Sequence, residues 1–355
     1  MNHTHDATPP PRRGRAAAFN TPNRFERLHV LEDAAALEED DLRQIQTEFL
    51  RDDSKSVLSK NDSPDVPFTY SINAYRGCEH GCIYCYARPS HEYLGFSAGL
   101  DFETRIVVKE NAPRLLEKAF MKRSWEPQVV VVSGNTDPYQ PVERKMELTR
   151  RCLEVCLKFG NPVGIITKNH LVTRDIDILS RLAEKNLVHV TISITSLRND
   201  VINVMEPRTS RPARRLDAIR KLAEAGIPVG VNAAPLIPGL TDEELVPILE
   251  AAAEHGAGSA GYIVVRLPGP VKELFVDWIQ REFPNRADKV LRRIRSIRNG
   301  ELSDPRFGSR MRGDGEWADL LANVFKMTCR RLDLNRRTPL STNHFQRPGE
   351  QLGLF

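Results

Sequence analysis

Val163-Gly-Ile-Ile-Thr167 and Val188-His-Val-Thr-Ile-Ser-Ile194 are short β-branched runs that flank a helical pattern over residues 173–185. Short apolar runs of this kind read as strands buried on both faces, and a helix between two of them reads as a parallel β–α–β unit. The pattern extends in both directions. Similar runs lie at residues 70–74, 129–133, 229–233 and 262–265, with helical patterns at 109–122, 143–159, 212–225 and 241–254. Six strands alternating with helices predict an α/β fold of parallel strands joined by right-handed crossovers. That is an open doubly wound sheet or a partial (β/α)6 TIM-type barrel with one open side. Either fold places a ligand site at the carboxyl ends of the strands. Thr241-Asp-Glu-Glu244 reads as a capping box, and Gly160, Gly226 and Gly256 read as helix stops.

Outside the repeat the texture changes. Residues 1–63 predict a disordered arm, with Pro9-Pro-Pro-Arg-Arg-Gly-Arg15, the acidic run Glu38-Glu-Asp-Asp41 and a short helix around residues 40–50. The core barrel is expected over 64–300, a helical basic extension over 301–337 and a flexible tail over 338–355. A chain of 355 residues, 40% hydrophobic, is long enough to bury a large core. Its longest apolar runs fall far short of the roughly 20 residues that cross a bilayer. The start of the chain shows no apolar signal segment. Six cysteines are too few for a disulfide scaffold. Membrane, small secreted and fibrous classes are excluded, and a reducing cytoplasm is the expected location. The net charge of +4 is uneven, because residues 281–347 hold 16 Lys and Arg against 8 Asp and Glu. Such a segment is a phosphate-facing surface or a solvated helical face.

The first strand leads into Arg76-Gly-Cys78-Glu-His-Gly-Cys82-Ile-Tyr-Cys85-Tyr, which spaces three of the six cysteines as C-x3-C-x2-C. Thiolates on one loop suit a soft metal centre, and Gly77 and Gly81 let the backbone wrap it. Three centres compete. Structural zinc needs four ligands, so His80 or His91 would have to complete the set. A redox disulfide needs only the C-x-x-C pair. A 4Fe-4S cluster held by three thiolates, with one iron open to an external ligand, fits the count best.

This motif on the loop after the first strand of a partial barrel resembles the radical S-adenosyl-L-methionine (SAM) superfamily, and Tyr84 matches its aromatic residue before the last cysteine. The resemblance implies that Cys78, Cys82 and Cys85 hold three irons and that the amino and carboxylate groups of SAM chelate the fourth. Reduction then yields methionine and a 5′-deoxyadenosyl radical, which abstracts hydrogen from the substrate. The resemblance also implies a reducing electron donor of flavodoxin or ferredoxin type. The backbone at Tyr84 would lie against adenine. Ser133 and Asn135, after the second strand, offer acceptors to the SAM ammonium. Lys168, ending the third strand, would pair with its carboxylate. Ser193 and Thr195, ending the fourth, would reach ribose or carboxylate, and Asn232 and Arg266 close the fifth and sixth.

Tyr75–Arg88 together with Thr136-Asp-Pro-Tyr-Gln-Pro141 and Glu206-Pro-Arg-Thr-Ser210 resembles the branch that includes spore photoproduct lyase-like proteins. Those lyases carry a cysteine hydrogen donor near the end of the second strand. Here that stretch reads Val-Val-Ser133-Gly-Asn-Thr-Asp137, so the lyase's own substrate does not carry over, and no residue stands out as acid, base or hydrogen donor. Cys152 and Cys156, four apart on one helical face, read as core. Cys329 reads as a spare buried thiol and His91 as a loop hydrogen-bonder. The chain ends Gln351-Leu352-Gly-Leu354-Phe355, which resembles the bacterial sliding-clamp binding peptide. Exposed Leu354 and Phe355 on a polar tail suit a partner's groove, or fold back on their own domain. Tail and basic segment together direct the substrate expectation towards DNA, for repair or base modification. A small-metabolite or protein substrate, and a non-catalytic zinc adaptor, are the alternatives.

Overall fold

The computed structural model describes residues 12–26, 45–336 and 338–349. Ten strands form two sheets: β1 (Glu48–Arg51), β2 (Leu58–Lys60), β3 (Tyr70–Ile72), β4 (Tyr75–Arg76), β5 (Arg105–Val108), β6 (Val130–Val132), β7 (Val163–Thr167), β8 (Val188–Ser193), β9 (Val229–Leu236) and β10 (Ser259–Val264). The large sheet runs β10-β9-β8-β7-β6-β3-β2. Its six strands β3 and β6 to β10 are mutually parallel, and β2 adds antiparallel to β3. These six are the strands read from the apolar runs. The sheet keeps two edges, β10 and β2, so the barrel is partial and open on one side.

Burial explains the order. Val130, Val132, Val163, Ile165, Val188, Val190, Ile192, Val229 and Val231 are all sealed in one core with the apolar faces of the crossover helices. Cys152 and Cys156 sit there, on the face of the helix Leu148–Phe159 that also buries Leu153 and Phe159. Cys329 is buried as well. Gly160 ends that helix at φ +64, a left-handed conformation that glycine adopts without a Cβ penalty.

Three helix expectations need correction. The helical pattern 143–159 is two helices, Glu143–Met146 and Leu148–Phe159, separated at Glu147 with φ +51. The Glu143 carboxylate turns back to accept the backbone N–H of Thr149 at 3.0 Å and Arg150 at 3.3 Å, capping the second helix. Thr241 and Glu244 do not form a capping box. Thr241 Oγ1 accepts from the Ile237 N–H at 2.9 Å, while the Glu244 carboxylate accepts from Ser196 and the Leu197 N–H at 2.7 Å each. The short helix expected around residues 40–50 is contradicted where described, since β1 occupies residues 48–51 and pairs parallel with β5.

The ends of the chain are more ordered than expected. In residues 12–26, Ala16, Ala17 and Ala18 are buried, and the Arg15 guanidinium donates to Glu103 O at 2.7 Å and Thr47 Oγ1 at 2.9 Å. The tail 338–349 docks at the carboxyl ends of two helices. Phe345 lies 6.0 Å from both Phe120 and Phe159, and Arg347 donates to the carbonyls of Phe120, Lys122 and Trp125. Those helix ends precede β6 and β7, so the tail holds the amino-terminal side of the sheet. Gln351, Leu352, Leu354 and Phe355 lie outside the described residues. Among the described residues no helix is long and apolar enough to cross a membrane.

Candidate active site

The loop after β3 and β4 carries the three cysteines, and buried polar groups hold its path. Cys78 donates its N–H to Phe102 O at 2.8 Å, and Cys85 donates to Cys82 O at 3.2 Å. Arg88 is fully buried beneath the loop. Its guanidinium donates to the carbonyls of Cys82 (3.0 Å), Gly81 (3.2 Å), Ala98 (3.1 Å) and Gly99 (2.9 Å) and pairs with the equally buried Glu103. Gly81 has φ +64, and a Cβ there would collide with the Glu103 carboxylate. A substituted residue would therefore break the packing as well as strain the backbone.

Cys78 and Cys82 are buried and Cys85 is partly so, all as free thiols. Burial pushes all three above the ordinary thiol range. For Cys85, Arg88 and then Lys168 pull back, and Lys168 does the same for Cys82. A cationic metal centre stabilises such thiols as thiolates. Among the described residues no three His, Cys, Asp or Glu side chains gather as one metal ion requires. His80 is turned elsewhere: Nδ1 lies 3.4 Å from Asp137 Oδ2, and Nε2 lies 3.1 Å from the Asn169 amide. His91 packs edge-on against Phe102 and beside Phe96, and among the described residues its ring nitrogens find no hydrogen-bond partner. That corrects its reading as a loop hydrogen-bonder, and neither histidine completes a zinc site. Three free thiols on one loop are the donor type that an iron–sulfur cluster takes.

The other strand ends surround this loop. Tyr84 is buried, its hydroxyl bonded to Glu206 and 3.3 Å from Thr195 Oγ1. Glu206 also accepts from Thr195 at 2.6 Å and pairs with the fully buried Arg215, which donates to Ser193 O at 3.0 Å. A buried ion pair thus ties the cysteine loop to the end of β8. The Lys168 ammonium lies 5.9 Å from the Tyr84 ring centre and has no carboxylate partner among the described residues. Its backbone N–H donates to Asp137 at 2.7 Å, as does Thr167 Oγ1. Burial acts to raise the Asp137 carboxyl, but His80 and these donors outweigh it and hold the carboxyl down at about 2.

Ser133 adopts φ +151 at the end of β6, and its hydroxyl reaches only Thr136 O, at 3.5 Å. Asn135 is exposed, with its backbone N–H on Asn73 Oδ1 at 3.0 Å and its side chain uncommitted. Ser193 is buried, and its hydroxyl makes no bond among the described residues. Sequence reasoning missed Arg88, Glu103, Glu206, Arg215, Asp137 and Tyr86 as site residues. Tyr86, just after Cys85, is half-exposed and bonds Gly134 O, linking the loop to the end of β6.

Residues 72–252, about half of the chain, match the radical SAM superfamily. An uncharacterised protein of Mycobacterium tuberculosis is 34% identical over 262 residues, 73% of this chain and 76% of the relative. An uncharacterised protein of Methanocaldococcus jannaschii is 31% identical over 56% of this chain and 71% of its own. In structure, spore photoproduct lyase complexed with dinucleoside spore photoproduct superposes with a TM-score of 0.57 at 20% identity, covering 80% of this chain and 79% of the lyase. A variant of that lyase with bound AdoMet gives 0.57 over 80% and 78%. The chain belongs to the radical SAM superfamily and is a radical SAM enzyme. Its fold is shared with spore photoproduct lyase, and the cofactors of its family are a 4Fe-4S cluster and SAM.

Proposed function

We propose that Cys78, Cys82 and Cys85 ligate the 4Fe-4S cluster and that the protein abstracts hydrogen from a nucleic acid, DNA in first place, in repair or base modification. The observation that carries the proposal is one largely buried loop with three free thiols, beside a lysine that has no carboxylate partner among the described residues. With cluster and SAM bound, reductive cleavage of the sulfonium supplies a 5′-deoxyadenosyl radical. The chain's own residues bind and orient. Lys168 offers its charge to the SAM carboxylate, and Asn135 and Ser133 offer oxygens to the ammonium. The buried Glu206–Arg215 pair positions Tyr84 against adenine, with Ser193 at the ribose side. Tyr84, Ile83 and Cys82 pack in an apolar cluster that excludes water.

Support for DNA comes from the basic segment 281–347 and from the fold shared with a lyase solved on a dinucleoside lesion. Ser133 in the stretch where those lyases carry a cysteine separates this protein from them. We further propose that residues 351–355 bind the bacterial sliding clamp, beyond the anchor made by Phe345 and Arg347. A cytoplasmic reductant of flavodoxin or ferredoxin type would supply the electron. To test the cluster assignment, each of Cys78→Ala, Cys82→Ala and Cys85→Ala is reconstituted anaerobically with iron and sulfide. The expected result is loss of the cluster's visible absorbance and of SAM cleavage in each variant, with both kept in Cys329→Ala. A full complement of iron and sulfide in the three alanine variants would refute it.

A further inference from the structure

The open side of the barrel is bridged by a segment with unusual surface chemistry. Residues 304–312 are fastened at several points: Gly308 N–H donates to Asp65 Oδ1 at 2.7 Å, and Arg310 pairs with the same carboxylate. Arg298 donates to Ser309 O at 2.8 Å and to Val265 O at 2.9 Å, at the end of β10. The segment thus joins the edge strand β10 to the loop between β2 and β3. Despite this fastening, Phe307 is 59% exposed, beneath the Arg310 guanidinium at 4.3 Å. Tyr86 is 51% exposed, with Arg266 over its ring at 5.5 Å, and Arg266 in turn reaches Met311 Sδ at 3.6 Å. Arg312 lies 5.9 Å from the Tyr262 ring.

Arg266 and Arg312 have no carboxylate in ion-pair range among the described residues, so neither charge is paired off on this face. Two exposed aromatic rings, with Arg266 and Arg312 beside them and without a carboxylate partner among the described residues, match what an unstacked nucleotide strand needs: a π-face for a base and a cation for each flanking phosphate. A duplex hides its base faces and would leave the rings unused. Tyr86 follows Cys85 directly, so a strand lying here would pass the mouth of the cluster loop.

We infer that Tyr86, Phe307, Arg266 and Arg312 form a docking surface for single-stranded or locally unpaired DNA, which leads the reacting nucleotide to the site. The inference rests on the nucleic-acid reading above and adds where and how the strand is held. The test is fluorescence anisotropy of the reconstituted full-length protein with a labelled oligodeoxynucleotide of about 12 nucleotides. Matched duplex DNA and RNA are separate arms, with a salt titration of each. Arg312→Gln should lower the slope of log affinity against log salt by about 0.7, one phosphate contact on a single strand. Phe307→Ser should weaken binding at least about fivefold at an unchanged slope. Arg123→Gln, on the far side of the fold, should change neither, and all variants should keep the cluster's absorbance. DNA binding that both variants leave intact would overturn this surface and spare the nucleic-acid reading. Absence of DNA binding in the parent protein would overturn both, and preference for duplex or RNA would overturn the assigned ligand.

Discussion

Arg88 shows how much of this site depends on a residue buried behind the cysteines. Its side chain holds four carbonyls on either side of the cysteine loop and pairs with Glu103, both at zero exposure. Removing one partner of a buried pair strands the other charge, at about 3–5 kcal/mol. Arg88→Met should therefore lose about that much stability in urea denaturation. It should also take up less iron than the parent, although all three cysteines remain. Parent-like stability and iron uptake would show that the loop does not depend on the arginine. The cysteines were legible because their spacing is local and thiolate chemistry is narrow. Arg88 was not, because its partner Glu103 lies 15 positions on and joins it only through the fold. The same holds for Glu206 and Arg215, whose shared burial no spacing announces.

At the scale of elements, strands were easier to read than helix ends. Val130–Val132 is buried throughout and Val163–Thr167 at every second residue, as strands packed beneath crossover helices require. The break at Glu147 was invisible because helical periodicity continues across it. What causes it is the Glu143 carboxylate, which caps the second helix and also accepts from the Tyr75 hydroxyl at 2.5 Å. Thr241 and Glu244 misled for a related reason, since their side chains serve the β8 and β9 loops instead of their own helix. Glu147 sits at φ +51, where a Cβ costs roughly 1–2 kcal/mol. Glu147→Gly should consequently raise the urea midpoint, by about 1 kcal/mol in stability. A loss of stability would mean that the break is set by the Glu147 side chain and not by its backbone.

Across the whole molecule, the partial barrel gathers the candidate site residues at one end, while the tail fastens the other. Cys78, Lys168 and Tyr84 meet at the carboxyl ends of the strands, as parallel α/β folds require. The tail 338–349 is pinned by Phe345 and Arg347 at the amino-terminal side. The open edge between β10 and β2 is bridged by residues 304–312 through Asp65. Neither fastening was legible, because Phe345 and Asp65 each find partners far along the chain. The fold class was legible, and it agrees with membership of the radical SAM superfamily. In the proposed function this scaffold turns radical chemistry on DNA. The most direct measurement is 5′-deoxyadenosine formed from SAM by the reduced, reconstituted enzyme with UV-damaged DNA, intact DNA and no DNA. Formation stimulated by DNA, most by the damaged form, is the expected result; a slow rate indifferent to all three additions would contradict the assignment of DNA as substrate.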